Sequence, residues 1–498
     1  MEKKRSILFR KYLYWILGAA SGALFLLLFA FRLDLFQGPE SRIDGEGFAR
    51  AGAVASRDTW MNILQKDTKI GYVHRQFTRS DEGYRFRESI LMQVNTMGMA
   101  QEVRVLSSGD LHPDLTLASF NMELISGLFR FKARGSQDGK KLTLIMGTPP
   151  SEEKVEIPLQ EKLYPAAGIH EAVLQENLKT GQRKLFSVFD PLTLSHRPFE
   201  VTVLGEEPVT VMGREEKTRK VSLDFMGTRQ YAWIGEDGGI VKEEGFLGIR
   251  LVKVSREEAL KGGSGALSED LTDIAAIPAN VPIEKAEDLQ MLRLRIDGVK
   301  GKDLYIHGGR QSLKGAILTV RKESMENLPD RILQYPPSLD GRTYLESTPF
   351  IQARDPIIKA QVRAILLPRD TLPVKAEKLV SWVYKNIRKR PVLSLPNALE
   401  TLKNLMGDCN EHAVLLAALA RAADIPADVE AGIVYQNGRF YYHAWNVLYL
   451  DRWITADATL GQMPADVTHI RFVRGSERQG DIIGLIGNLR LKILEQKK

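Results

Sequence analysis

Cysteine is nearly absent: the chain of 498 residues has one, Cys409. No disulfide can form within it, so the fold rests on its own core. Excess positive charge is also scarce outside one place. Of the formal net charge of +7, residues 1–11 carry +4 (Lys3, Lys4, Arg5, Arg10 and Lys11 against Glu2), leaving +3 on everything that follows. So small an excess, with no Lys/Arg-rich patch interleaved with aromatics, excludes nucleic acid as an expected partner. There is no internal repeat and no low-complexity tract. The GGSG at 262–265 lacks both the strand-then-helix context and the Lys-Ser/Thr ending of a phosphate loop. No cofactor is expected.

Long apolar runs are missing except for Tyr12–Phe31, twenty residues without a charge, the length a helix needs to cross a bilayer core. It is apolar on every face with a basic cluster at one end only, which suits a membrane span better than a core helix. It is longer than the apolar region of a signal peptide, and no A-x-A site follows before Arg32, so an uncleaved anchor is expected. The basic residues before it place the N-terminus in the cytoplasm and the bulk outside. The expected location is the inner (cytoplasmic) membrane, single-pass, with a periplasmic body.

At 44% hydrophobic and 26% charged, the rest reads as globular, and its length implies several domains. Residues 32–57 form a polar stalk. From 58 to 260 the pattern has period two: Tyr84 and Phe86 alternate with Arg85 and Arg87, and Phe129, Phe131 and Ala133 with Arg130 and Lys132. Asp138-Gly139 marks a hairpin, and 199–213 resembles another. This predicts an antiparallel β-rich domain, a sandwich or half-barrel, with a helix within 160–180. Residues 261–288, rich in Gly, Ser, Pro and acid, read as a linker, 289–345 as a small β unit, and 346–498 as a domain entered through helical segments.

Within that last domain, Cys409 opens the apolar helix of GDCNEHAVLLAALARAADIPA. A helix N-terminus favours a thiolate, and Gly407 permits a close backbone approach just before it. Two strand-like runs follow, DVEAGIVY and FYYHAWNVLYL, joined by an Asn-Gly turn. The first strand face after it carries His443, Trp445 and Val447; a third run puts Asp457 on the face of Trp453 and Thr455. His443 and Asp457 can then lie side by side, the carboxylate fixing the imidazole tautomer and the imidazole taking the thiol proton. Trp382, Gly407, Asp408, Asn410 and Trp445 are expected around the substrate or an oxyanion. A metal set of Cys409, Glu411 and His412 with His443 is the lesser reading, since zinc favours more cysteine or a regular pair spacing. His412 is expected at the rim or behind the reacting groups, and His469 as a structural residue, with a place lining the cleft as the lesser reading.

These segments, together with HAW around His443, W-x-x-x-D around Asp457 and Trp382 upstream, resemble the transglutaminase-like superfamily of cysteine enzymes over about 375–470. PADVTHIRF after them is similar to bacterial membrane-anchored members. The resemblance implies an α+β, papain-like fold, with Cys409 as nucleophile, His443 as base and Asp457 as orienting acid. Ala458 stands where Pro is common and Asp424 where Gly is usual. The calcium sites of the animal enzymes have no counterpart here, so no metal is expected. The expectation is a thiol hydrolase or acyltransferase acting on amide bonds of peptide or protein substrates through a thioester. A binding module without turnover is the alternative, and a lipid-holding cavity in the β-rich domain a further one.

Overall fold

Alternating residues between Arg57 and Val254 build one sheet of fifteen strands, antiparallel except where the edge strand Tyr164–Pro165 pairs parallel with Arg183–Asp190. The computed structural model describes residues 55–147, 152–190, 195–225, 228–262, 268–299, 304–332, 344–393 and 395–498. The expected anchor at 12–31, the basic tail and most of the stalk lie outside them. Among the described residues, no helix is long and apolar enough to cross a membrane.

Eight strands, from Arg57–Gln65 to Glu153–Pro158, run as a meander. Seven more, from Tyr164–Pro165 to Ile249–Val254, return so that the last pairs with the first, Trp60 opposite Val254. The free edges are therefore Glu153–Pro158 and Tyr164–Pro165, consecutive in the chain. The sheet rolls into a half-barrel around the helix Ile169–Gln175, whose Ile169, Ala172 and Val173 share a core with Phe77, Phe86, Phe131, Phe186 and Val221. The alternation reads directly in the burial: Phe129, Phe131 and Ala133 are inside, Arg130 and Lys132 outside. One expected turn is not there. Residues 199–211 belong to a single strand, Ser195–Val211, with a bulge rather than a hairpin where the register shifts between Val203 and Gly205, the latter at φ of 145°. The turn comes at Met212-Gly213, between that strand and Arg214–Phe225.

The remaining residues pack against the half-barrel as part of the same compact unit. Leu271–Ala275 is a short helix capped by Asp270, and Ile277–Pro278 pairs with Arg439 and Phe440. Met291–Asp297, Gln311–Lys314 and Ile317–Arg321 form a small sheet, joined by the last strand of the chain, Arg490–Lys497. The helices Pro356–Ile365, Leu372–Asn386 and Ala398–Asn404 surround the helix Cys409–Ala422, which is buried on every face from Val414 to Ala420. Its other side rests on Ala427–Gln436 and Arg439–Tyr449, a hairpin whose Asn437 and Gly438 both have positive φ, the type the Asn-Gly pair predicts. Trp453–Ala456 and Ile470–Arg474 complete that sheet. Phe350 enters the half-barrel core, and Val392 and Met406 pack on Phe129, so the half-barrel borders the segment leading to Cys409.

Candidate active site

Cys409 is the first residue of its helix. Met406–Gly407 pairs with Arg388–Lys389, which sets the path into the turn. Gly407 is required by space: a Cβ there would lie 2.3 Å from Glu411 Cβ. Asp408 caps the helix, accepting the Asn410 amide at 2.8 Å, while the Glu411 carboxylate accepts the Asp408 amide at 3.0 Å. The Asn410 side chain also donates to Asp408, at 3.2 Å. Its backbone amide and side-chain amide are both tied to the cap.

His443 and Asp457 meet as their strands predict. The register Asn446 opposite Ala456 places Asp457 just past its strand end, within reach of His443. His443 Nε2 donates to Asp457 Oδ2 at 2.7 Å, leaving Nδ1 as the atom that can take a proton. Asp457 is fully buried; its Oδ1 accepts the Thr459 and Leu460 amides at 2.6 and 3.0 Å. Burial alone would raise its carboxyl, but His443 and His469 hold it far below the usual carboxylate range. The Ala444 backbone, next to His443 in the chain, lies near enough to the Cys409 sulfur to favour its anion.

The thiol's surroundings differ from the expectation of a helix terminus that favours the anion. Burial and the adjacent Asp408 push Cys409 well above its ordinary value, with smaller upward contributions from Glu411 and Asp457; the Ala444 amide pulls the other way. Burial is the largest cause, and the capping Asp408 adds negative charge at the helix end, where the dipole alone would offer positive. Cys409 itself remains partly exposed.

Trp445 is buried, and its Nε1–H donates to Glu430 at 3.0 Å, so it backs the site. Its ring lies 6.1 Å from that of His443 and edge-on to His469. Glu430 also receives Arg471 and Arg474, and they hold its carboxyl at about 2 against the effect of burial. Trp382 is half-buried against the same core as Cys409. His412 is fully buried, donating Nδ1–H to the Asp408 carbonyl at 2.7 Å.

His469, expected to be structural, joins the site. Its Nε2 lies 3.0 Å from Asp457 Oδ2 and its Nδ1 3.3 Å from Asp466 Oδ1. The available signal was the spacing Asp466 to His469 just beyond Asp457. The small sheet contributes too: Arg310 donates to the carbonyls of Ala465, Asp466 and His469, and pairs with Glu323, which accepts from Thr455.

Ligand atoms of His443, Asp457 and His469 lie within 4.8 Å of one another. The two imidazole nitrogens sit 2.7 and 3.0 Å from one carboxylate oxygen, which is hydrogen-bond spacing; ligands on a tetrahedral zinc stand roughly 3.3 Å apart. The expected lesser set of Cys409, Glu411 and His412 does not converge, since Glu411 and His412 turn to the Asp408 backbone.

In the half-barrel, a cavity of about 540 Å³ is lined by His74, Arg87, Glu88, Ser107, Asn121 and Glu123 among others. Leu106, Met122, Ala133 and Ile145 share its lining with these polar groups.

Residues 361–458 match the family model of the transglutaminase-like superfamily, so this chain carries a transglutaminase-like domain, and Cys409, His443 and Asp457 fall inside it. Solved structures overlap more loosely. A β-barrel-like protein of a domain of unknown function (DUF1849) from Brucella abortus is 11% identical, with 41% of this chain and 98% of that one covered and a TM-score of 0.34. A candidate cysteine protease from Cytophaga hutchinsonii is 15% identical over 40% and 83%, with a TM-score of 0.26. A candidate protease from Parabacteroides distasonis is 12% identical over 77% and 65%, with a TM-score of 0.20. No curated protein matches.

Proposed function

We propose that the transglutaminase-like domain is a thiol hydrolase of amide bonds in peptides or proteins. The observation that carries this reading is the His443–Asp457 hydrogen bond, with Asp457 fully buried, and a partly exposed cysteine near the Ala444 backbone that adjoins His443. In the reaction, His443 Nδ1 takes the Cys409 proton as sulfur attacks the carbonyl carbon. The tetrahedral adduct collapses as the C–N bond breaks, and the proton passes from His443 to the departing amine. Water then gives a proton to His443 and attacks the thioester; the acid leaves and the proton returns to sulfur. An amine in place of water would make the enzyme a transamidase with the same residues. The chain is anchored in the cytoplasmic membrane by 12–31, with its body in the periplasm.

A second reading, a peptide-binding module without turnover, is favoured by the carboxylates that raise the Cys409 thiol. Alkylation of Cys409 by iodoacetamide across pH 5–10 separates them. Fast labelling well below the free-thiol value of about 8.5, lost in His443→Ala, supports the hydrolase; ordinary thiol behaviour in both proteins supports the binding module. Labelling of Cys409 in spheroplasts by a membrane-impermeant maleimide tests the topology, and protection until lysis would refute it.

A further inference from the structure

Asp457 Oδ2 has two imidazoles on it, and only one of them faces the thiol. The other, His469, is fully buried, and each of its ring nitrogens lies against a different carboxylate, Asp457 on one side and Asp466 on the other. A neutral imidazole has one N–H and could serve one of them; satisfying both takes two. Neither carboxylate has freedom to turn away. Asp457 Oδ1 is held by two amides, Asp466 Oδ1 takes the Thr468 amide at 2.8 Å, and Asp466 Oδ2 takes Gln462 Nε2 at 3.0 Å. The turn itself is clamped by Arg310 on three of its carbonyls. Asp466 and His469 lie beyond residue 458, where the family match ends.

We propose that His469 is a positioning residue of this site: an imidazolium held between Asp457 and Asp466 that fixes Asp457 against His443 and shares its charge. The proposal rests on the reading of Cys409, His443 and Asp457 as the reacting groups. Burial opposes a charge on His469, but the Asp457 and Asp466 carboxylates outweigh it and raise it to about 9. Other ionisable groups around this chain of contacts are Arg310 on the His469 carbonyl, and Asp408, Glu411, His412 and Lys389 on the Cys409 side. The consequence is a tuned pair. Asp457 meets His443 with part of its charge already neutralised, so His443 yields its proton to the leaving amine more readily than a full carboxylate would allow.

The test uses the full-length chain in detergent and needs no substrate. His469→Gln keeps a donor for Asp457 and removes the cation, whose ring centre is 5.9 Å from that of His443. Loss of a positive charge that close raises the pH at which its neighbours release protons, so the acid limb of Cys409 alkylation should move up by about one pH unit or more. A His469→Gln profile that superimposes on the wild type overturns the proposal. Histidine-selective ¹⁵N NMR of the wild type decides independently of mutant folding: two N–H groups on His469 at pH 7 uphold the imidazolium, and one N–H overturns it. A wild-type profile with no acid limb below the free-thiol value refutes the hydrolase reading instead, leaving the NMR result to judge the charge on His469.

Discussion

At the scale of single residues, Cys409 is governed by opposed charges. The helix end favours a thiolate, while the Asp408 and Glu411 carboxylates that cap the same helix disfavour it, together with burial. Asp408→Asn should therefore shift Cys409 alkylation to lower pH, while Asn still caps the helix and the melting temperature stays close to wild type. An unchanged or upward shift would contradict the assignment of Asp408 as the main charged opponent. His469 gives a second expectation, with the opposite sign of pH dependence from a buried acid. Its folded value is raised to about 9 from an unfolded one of about 6.5. The stability it contributes is complete below about 6.5 and is lost as pH rises through about 9. Urea unfolding at pH 6 and pH 9.5 should show that loss in the wild type, and a flatter dependence in His469→Gln. Equal slopes in the two proteins would count against a protonated His469.

At the scale of elements, the site depends on a tight turn into a fully buried helix. Gly407 has no room for a methyl group, and the obstructing Glu411 side chain is tied into the capping box. Gly407→Ala should cost about 1–3 kcal/mol in urea unfolding, the usual penalty of overpacking. A neutral substitution would mean that the cap can rearrange. At the other end of this helix, Asp424 adopts φ of 61° before Ile425-Pro426. The left-handed geometry explains why glycine is the usual residue there, and why Asp, with its short polar side chain, replaces it at modest cost. The hairpin from Ala427 to Tyr449 then delivers His443, and its Asn446 side chain ties the sheet back to the helix at the Ala413 carbonyl, 2.8 Å away.

At the scale of the whole molecule, parts distant in the chain support the acid-bearing turn. The small sheet presents Arg310 and Glu323, both largely buried, to residues 455–469. Arg310→Ala should leave three carbonyls and Glu323 without their partner, lowering stability by about 3 kcal/mol. It should also speed amide hydrogen exchange in 462–470 more than in the half-barrel. Uniform loss of protection across both would mean that Arg310 supports only the global fold. The half-barrel meets the same domain through Phe350 in its core and Phe129 against Met406, three residues before Cys409. The turn that carries Phe129 also exposes Leu128.

Much of this was legible in the chain itself. Period-two alternation around Tyr84 and Phe129 marks strands because successive side chains point to opposite faces, and an apolar run after Asp408 marks the helix because its cap and its core are local in sequence. The order of Cys409, His443 and Asp457 is likewise written along adjacent strands, so their meeting needs only a helix, a hairpin and one more strand. Tertiary structure decided the rest. Alternation alone could not tell a sandwich from a half-barrel, because that depends on the first and last strands, Arg57–Gln65 and Ile249–Val254, finding each other across the whole domain. The role of Glu430 behind Trp445 and the clamp of Arg310 on the 465–469 carbonyls arise between segments 15 to 159 residues apart. The electrostatics of Cys409 and His469 depended most on folding, because a charge's effect is set by its distance and its burial, and neither exists until the chain has closed around them.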